Sequence, residues 1–132
     1  MCNVRIAPGS SVKDVMQAMG AIGAQYQVEL ELLRNNEPSP VTNAGSEAFR
    51  KVERAIARAL PGVEALPSLL SGGTDTKHFT SYCPNCLRFT PLRTTPQQQA
   101  AVHGVDENID IDALPGAVDF FKALVEEVSE KG

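Results

Sequence analysis

The chain has 132 residues and a formal net charge of −4 at pH 7, with 42% hydrophobic and 21% charged residues. This composition is typical of a globular protein and argues against a nucleic-acid binder, which usually carries a basic patch. The sequence has neither a signal-peptide pattern nor an apolar run near the roughly 20 residues that cross a bilayer. We therefore expect no nucleic-acid partner and no membrane partner, and the sequence indicates no particular cellular compartment.

The N-terminal part of the sequence predicts a strand, a helix and a second strand. Asn3–Ile6 alternates in the manner of a short strand. Ser11 begins a capping-box pattern with the acid three residues later, so a helix starts there, and we expect Gly20 and Gly23 to end it. Tyr26–Leu32 alternates apolar and polar residues, as a strand with one solvated face does. Strand, helix and strand within about thirty residues make half of a ferredoxin-like unit.

A linker and a second helix follow. Residues 34–42 carry two asparagines and two prolines, which predicts a linker or hinge between two bodies. Asn43 or Ser46 can cap the next helix, and Pro61 and Gly62 end it. Its apolar residues recur at helical spacing and predict a buried stripe of Phe49, Val52, Ile56 and Leu60.

The remaining sequence predicts two more strands and two more helices. Val63–Leu70 and Leu87–Pro91 are apolar enough for strands, and Gln97–Val102 predicts a short helix after Pro96. The last helix has Pro115 in its first turn. Its predicted apolar stripe consists of Leu114, Val118, Phe121, Leu124, Val125 and Val128. Together these elements predict an α/β fold made of two bodies.

The three cysteines, Cys2, Cys83 and Cys86, are too few for a disulfide framework. Cys83 and Cys86 have the spacing of half a zinc knuckle, but the sequence contains no second pair. A redox pair would begin a helix after a strand, whereas Pro84 and Asn85 favour a turn. A turn that carries two thiols is the interpretation we favour over an unrelated zinc or redox module.

The stretch that carries both histidines also carries a paired-glycine turn. Gly72 and Gly73 leave backbone N–H groups accessible to an anion and Thr74 adds a hydroxyl, although a tight structural turn explains the same pattern. His103 precedes two acids, and a carboxylate could orient the second nitrogen of a metal-binding imidazole. One histidine cannot make a metal site alone. His78 stands beside aromatic residues and is interpreted as packing or as a hydrogen-bond partner that supports a site residue.

Four sequence blocks carry a family resemblance. In chain order they are NVRIAPG, SGGTDTKHF, LRFTPL and VHGVDENI, and an amphipathic helix follows them. Their order resembles the C-terminal part of the M20 metallopeptidases, in the branch of carboxypeptidase S and the N-acyl-amino-acid hydrolases. The resemblance implies that residues 1–37 are the second half of a ferredoxin-like lid or dimerisation domain. Residues 38–42 would be a linker, and 43–132 the C-terminal strand–helix part of the zinc-binding α/β catalytic domain.

The resemblance also implies roles for individual residues. His103 matches a zinc ligand of the family, and Arg5 matches an arginine that meets the substrate carboxylate. Gly72, Gly73 and Thr74 would line the substrate pocket. The other ligands of the two-zinc centre and the glutamate general base belong to an N-terminal region of the family. The metal centre is therefore expected to be incomplete here, with no catalytic residue in this chain.

The function implied is that of a fragment of a zinc-dependent metallopeptidase or amidohydrolase, inactive alone. The intact enzyme would cleave peptides or N-acyl amino acids that have a free carboxylate. The expected partners are this small-molecule substrate, the missing N-terminal part of the enzyme, and a second copy through homodimerisation or domain exchange. The alternative is a non-catalytic assembly module derived from the same family.

Overall fold

The computed structural model describes residues 1–70 and 73–129, and the chain divides into two compact units. Unit 1 consists of Met1–Thr42 and Leu69–Cys86, and unit 2 consists of Asn43–Ser68 and Leu87–Gly132. The domain boundaries inferred above, with a linker over 38–42, stay a prediction.

Regular structure in the described residues is helical. The α-helices are α1 (Val12–Gln25), α2 (Glu47–Ala59), α3 (Pro96–Ala101) and α4 (Leu114–Ser129), and two short 3₁₀ helices cover Asp75–His78 and Ile111–Ala113. Residues 1–70 and 73–129 contain no strand, so the predicted α/β fold with half of a ferredoxin-like lid is wrong. None of the helices in these residues combines the length and apolar character that crossing a membrane requires.

The predicted strands are wrong because the pattern of one segment assigns its side chains to two faces but does not show whether a second strand lies beside it. A strand ladder needs a second backbone at about 4.8 Å. After α1 the chain instead turns back onto the helix, where the N–H of Val28 donates to the carbonyl of Gly23 at 2.9 Å. A Cβ at position 23 would lie 2.7 Å from the Val28 oxygen, so glycine permits this return. The other segments predicted as strands but lacking strand structure are Asn3–Ile6, Val63–Leu70 and Leu87–Pro91.

The predicted capping box begins α1. The side chain of Ser11 accepts the N–H of Asp14 at 3.1 Å, and the Asp14 carboxylate accepts the N–H of Ser11 at 3.0 Å. Glu37 accepts the N–H of Val12 at 3.1 Å, which satisfies a further backbone donor of the first turn. The helix runs two residues past Gly23, so the glycines expected to end it lie inside it. Each glycine within a helix costs about 1 kcal/mol, and the capped first turn offsets part of this cost.

Helices α2 and α4 pack together and form the core of unit 2. Ser46, one of the two predicted caps, accepts the N–H of Phe49 and begins α2. The most buried residues at the helix contact are Ala55, Ile56, Phe120 and Ala123. The ring of Phe89 lies 5.1 Å from that of Phe120, centroid to centroid, and extends this cluster.

Ion pairs border the contact between α2 and α4. Arg54 donates through Nε to Glu127 at 2.7 Å and through Nη2 to Glu47 at 2.9 Å. Arg58 pairs with Glu126, and with Glu127 at 3.5 Å. The side chain of Glu127 is 11% exposed, so it is the best sheltered carboxylate of this group. The hydrogen bond from Arg54, together with the charges of Arg54 and Arg58, holds the pKa of Glu127 below its ordinary value.

The apolar stripe predicted for α4 is mostly its outer, exposed face. The buried residues of α4 are Phe120 and Ala123, and Leu124 packs beside them. The remaining predicted residues are 43–60% exposed, and they are Leu114, Val118, Phe121, Val125 and Val128. Because α4 is apolar on two sides, periodicity could not indicate which side meets α2.

Candidate functional site

His103 lies in the loop that follows α3, and its backbone adopts a left-handed conformation with φ of 63°. Asp106, in the same loop, has φ of 62°. This region costs a non-glycine residue roughly 1–2 kcal/mol, and such conformations concentrate at functional sites. His103 is exposed, so its imidazole is accessible rather than surrounded by apolar side chains.

Hydrogen bonds within the loop stabilise this backbone. The Glu107 carboxylate accepts the backbone N–H of His103 at 3.1 Å. The N–H of Gly104 donates to the carbonyl of Ala101, the last residue of α3, at 2.8 Å. The expected partner of the imidazole was a nearby carboxylate, but Glu107 binds the main chain of His103. Glu107 therefore affects the position of the imidazole by holding the backbone of His103.

Gln98, which is 7% exposed, ties α3 to the far side of the loop. Its side chain accepts the N–H of Thr95 at 2.8 Å, and its own N–H donates to the Thr95 hydroxyl at 3.2 Å. Its amide nitrogen also donates to the side chain of Asn108 at 3.2 Å, and Asn108 donates to the carbonyl of Asp106 at 2.6 Å. Gln98 is not among the residues singled out from the sequence. The capping-box spacing of Thr95 and Gln98 was the signal that could have revealed it.

The described residues do not fit a zinc site on their own. Within 1–70 and 73–129 no three histidine, cysteine, aspartate or glutamate side chains come together in a way that could hold a metal ion. A structural zinc takes four protein ligands and a catalytic zinc takes three. His103 therefore brings one accessible imidazole, and any further ligands would have to come from outside the described residues.

Gly73 and Thr74, two residues of the predicted glycine turn, belong to unit 1. Gly72 lies outside the described residues. Gly73 is exposed, its φ is not in the left-handed region, and a Cβ there would meet no described atom within 4 Å. The described structure therefore gives no steric reason for glycine at position 73. Thr74 is half-buried at the start of the 3₁₀ helix Asp75–His78, where its carbonyl accepts the N–H of Lys77 at 3.2 Å.

The remaining residues singled out from the sequence are exposed. Arg5 lies in a segment without regular structure, and His78 ends its 3₁₀ helix with an exposed side chain, contrary to the packing interpretation. Arg5, Gly73 and Thr74 belong to unit 1, whereas His103 belongs to unit 2. The substrate and metal roles inferred for these residues stay predictions.

Comparison with known proteins identifies relatives along nearly the whole chain. The model of peptidase family M20/M25/M40 matches residues 3–127. "Probable carboxypeptidase S-like 2" of Dictyostelium discoideum is 27% identical over 97% of this chain and 25% of its own length. "N-fatty-acyl-amino acid synthase/hydrolase PM20D1" of Mus musculus is 28% identical over 94% of this chain and 25% of its own length.

A third relative, "Uncharacterized carboxypeptidase C24C9.08" of Schizosaccharomyces pombe, is 31% identical over 98% of this chain and 22% of its own length. The chain thus spans about a quarter of the length of the curated relatives it matches. No solved structure matches the chain.

Proposed function

Because the chain belongs to peptidase family M20/M25/M40, a generally metal-dependent family of hydrolases, we propose that it is the C-terminal part of a zinc-dependent amidohydrolase or carboxypeptidase. The observation that carries the proposal is the family match over residues 3–127, in a chain that spans about a quarter of the length of its relatives. The relatives' names, carboxypeptidase S-like and N-fatty-acyl-amino acid synthase/hydrolase, support a substrate that is a peptide or N-acyl amino acid with a free carboxylate.

In this proposal His103 contributes one metal ligand. Its exposure supports the role because a ligand must be reachable by a metal held partly by another segment. Its left-handed backbone supports the role as well, since the loop maintains an unfavourable conformation at this residue. Glu107 and Gln98 fix the loop on either side, so the imidazole is presented from a braced backbone. A ligand on a braced loop loses less conformational entropy on binding.

Arg5 and the glycine turn would contact the substrate. A guanidinium binds a carboxylate through two parallel hydrogen bonds, which suits Arg5 to the free carboxylate of the substrate. Gly73 is open on its Cβ side, and a glycine without a local steric reason is consistent with close approach of a ligand to the backbone. Thr74 would add its hydroxyl, and Gly72 its backbone N–H. These groups would orient the scissile bond rather than break it.

The chain alone is proposed to be inactive. One imidazole without two further ligands in the described residues does not hold a catalytic zinc. The remaining ligands and the general base would come from the other part of an M20 enzyme. The outer face of α4, defined by Val118, Phe121, Val125 and Val128, is apolar and exposed, which suits burial against that part.

Complementation tests this function. The purified chain is mixed with a polypeptide that carries the remaining part of an M20 enzyme, and hydrolysis of N-acyl amino acids and of peptides is followed with zinc present. We expect activity in the mixture and none from either component. The His103→Ala variant should abolish it, while His78→Ala, which removes the chain's other exposed histidine, should retain it. Activity of the chain alone, or full activity of the His103→Ala mixture, contradicts the proposal.

The outer face of α4 also favours a second candidate, a non-catalytic assembly module. Such a module would form a homodimer or exchange segments between copies, and either association would bury the exposed apolar side chains of this face. Light scattering of the isolated chain should show a dimer, and Phe121→Lys should shift it toward monomer. A monomer at high concentration contradicts the assembly role without bearing on the complementation experiment.

A further inference from the structure

The bend of unit 1 that carries Cys83 and Cys86 is chemically reactive and has no role in the proposed hydrolysis. Both residues are thiols. The Cys86 sulfur donates to the carbonyl of Cys83 at 3.3 Å, and the Cys83 sulfur donates to the carbonyl of Asn85 at 3.3 Å. The chain therefore folds back within four residues, which brings one sulfur against the backbone of the other cysteine. A disulfide requires such a return, since its Cα atoms lie about 4.4–6.8 Å apart.

The backbone on each side of the bend is anchored independently. The N–H of Cys83 donates to the carbonyl of Phe79 at 2.8 Å. The Thr42 hydroxyl accepts the N–H of Cys86 at 3.0 Å and donates to its carbonyl at 3.1 Å. One threonine thus binds both main-chain groups of Cys86 from 44 residues away in the sequence. With both cysteines held in place, rotation about the side-chain bonds is the motion that changes the separation of the sulfurs.

The two thiols differ in exposure. Cys83 is exposed and Cys86 is half-buried. Thiol–disulfide exchange depends on access of the attacking sulfur and on which sulfur is attacked. Of these two thiols, Cys83 is therefore the one that a dissolved disulfide reaches first. Cys86 is the one placed to attack the mixed disulfide that then forms at Cys83.

We propose that Cys83 and Cys86 form a reversible thiol-modification site for small disulfides such as glutathione disulfide. The Cys83 thiolate attacks one sulfur of glutathione disulfide; the S–S bond breaks, a mixed disulfide forms, and one glutathione leaves with a proton. The Cys86 thiolate then attacks the Cys83 sulfur, and the second glutathione leaves with a proton. Overall, two protein thiols give up two electrons and two protons to become one disulfide, and glutathione disulfide becomes two glutathione molecules.

Cys2 supplies a control within the same chain. It is exposed, like Cys83, but has no other cysteine near it in the sequence. Glutathione disulfide can modify Cys2, and no neighbouring thiol in the sequence then removes the adduct. The second step at Cys83 is intramolecular, so it proceeds at an effective thiol concentration of the order of millimolar or higher. The inference does not rest on the hydrolase function, because the chain alone carries all three cysteines.

The experiment treats the full reduced chain with glutathione disulfide, quenches it with acid, digests it with trypsin and measures peptide masses. Cleavage after Lys77 and Arg88 yields one peptide with both Cys83 and Cys86, and Cys2 lies in a separate peptide. We expect the Cys83–Cys86 peptide to lose two hydrogens and carry no glutathione, while the Cys2 peptide carries one glutathione. In Cys86→Ser, the adduct on Cys83 should accumulate roughly tenfold above the wild-type level.

A second pair of measurements tests the order of attack. In the native chain, Cys83 in the Cys86→Ser variant should acquire glutathione several times faster than Cys86 in the Cys83→Ser variant. In concentrated urea the two rates should become equal, because the difference in exposure is lost. The proposal is overturned if the wild-type peptide keeps glutathione to the same extent as the Cys86→Ser peptide. It is also overturned if the two variants react with glutathione disulfide at equal rates in the native chain.

Discussion

The carboxylate of Glu107 lies 3.1 Å from the backbone nitrogen of His103 and accepts its N–H. This contact spans four residues and closes the loop on the side where His103 adopts its left-handed backbone. Because Glu107 holds the main chain of His103, it also fixes the position of the Cα atom from which the side chain of His103 extends. The position of the imidazole is therefore coupled to an acid that does not need to touch it.

Loss of the Glu107 carboxylate should loosen the backbone at His103. In Glu107→Ala we expect hydrogen exchange of the His103 amide to accelerate roughly three- to tenfold, because a net hydrogen bond contributes about 0.5–1.5 kcal/mol. Glu107→Gln is the matched control, since its amide oxygen can still accept the N–H. Unchanged exchange in Glu107→Ala contradicts the bracing role, and NMR-detected exchange measures both variants.

Substitutions that differ in backbone preference should reveal the cost of the conformation at His103. Because φ is 63°, His103→Gly should be more stable than His103→Val by about 1–2 kcal/mol. Val105 lies two residues away outside the left-handed region, so Val105→Gly should lower the stability of unit 2. Urea unfolding of the full chain measures all three variants, and equal stability of the two His103 variants counts against a strained loop.

Adjacent phenylalanines of α4 should differ sharply in their contribution to stability. Phe120 is 2% exposed and its ring contacts that of Phe89 in a tilted arrangement, whereas Phe121 is 53% exposed. Phe120→Ala should lower the free energy of unfolding of unit 2 by about 3–5 kcal/mol, through lost burial and the cavity that remains. Phe121→Ala should change it by less than about 0.5 kcal/mol in the monomeric chain. Urea titration followed by circular dichroism distinguishes the two variants, and similar losses in both would contradict the exposed outer face of α4.

Glu127 should make the stability of unit 2 depend on pH in the acidic range. Its pKa is lowered in the folded chain, first by the hydrogen bond from Arg54. A lowered folded-state pKa means that the stabilisation is fully present above the unfolded pKa of about 4.3 and is lost as pH falls through the folded value. Thermal unfolding between about pH 5 and pH 2 should therefore show a smaller loss of Tm in Glu127→Gln than in the wild type. Glu126→Gln, which removes the 59% exposed partner of Arg58 instead, is the comparison, and an equal change of slope in both variants contradicts the role of Glu127.

Two glycines offer a test that separates folding from substrate binding. Gly73→Ala should leave the free energy of unfolding within about 0.5 kcal/mol of the wild type, because the added Cβ meets no described atom. Gly23→Ala should destabilise unit 1, because its Cβ would lie 2.7 Å from the Val28 oxygen. If residue 73 faces the substrate, Gly73→Ala should still reduce hydrolysis in the complementation assay. Full activity there contradicts the substrate role of this position.

The helix starts of α1 and α3 are predictable from sequence because every partner lies within a few residues. Ser11 with Asp14, and Thr95 with Gln98, satisfy the free N–H groups of a first turn locally. The family resemblance is equally a property of the sequence, because residue blocks in a fixed order carry it. His103 could be singled out in the same way, as a residue of one of those blocks.

Only the tertiary structure decided which predicted elements have another segment packed against them. Tyr26–Leu32 alternates like a strand, yet the chain returns to α1 at Gly23 and no ladder forms in the described residues. Helix α4 is apolar on two sides, and only its packing on α2 selects Phe120 for burial over Phe121. The left-handed backbone of His103 is stabilised by groups only three or four residues apart, but no periodic pattern indicates it. Periodicity describes one segment at a time, whereas burial, strand pairing and loop geometry each require a second group at a definite distance.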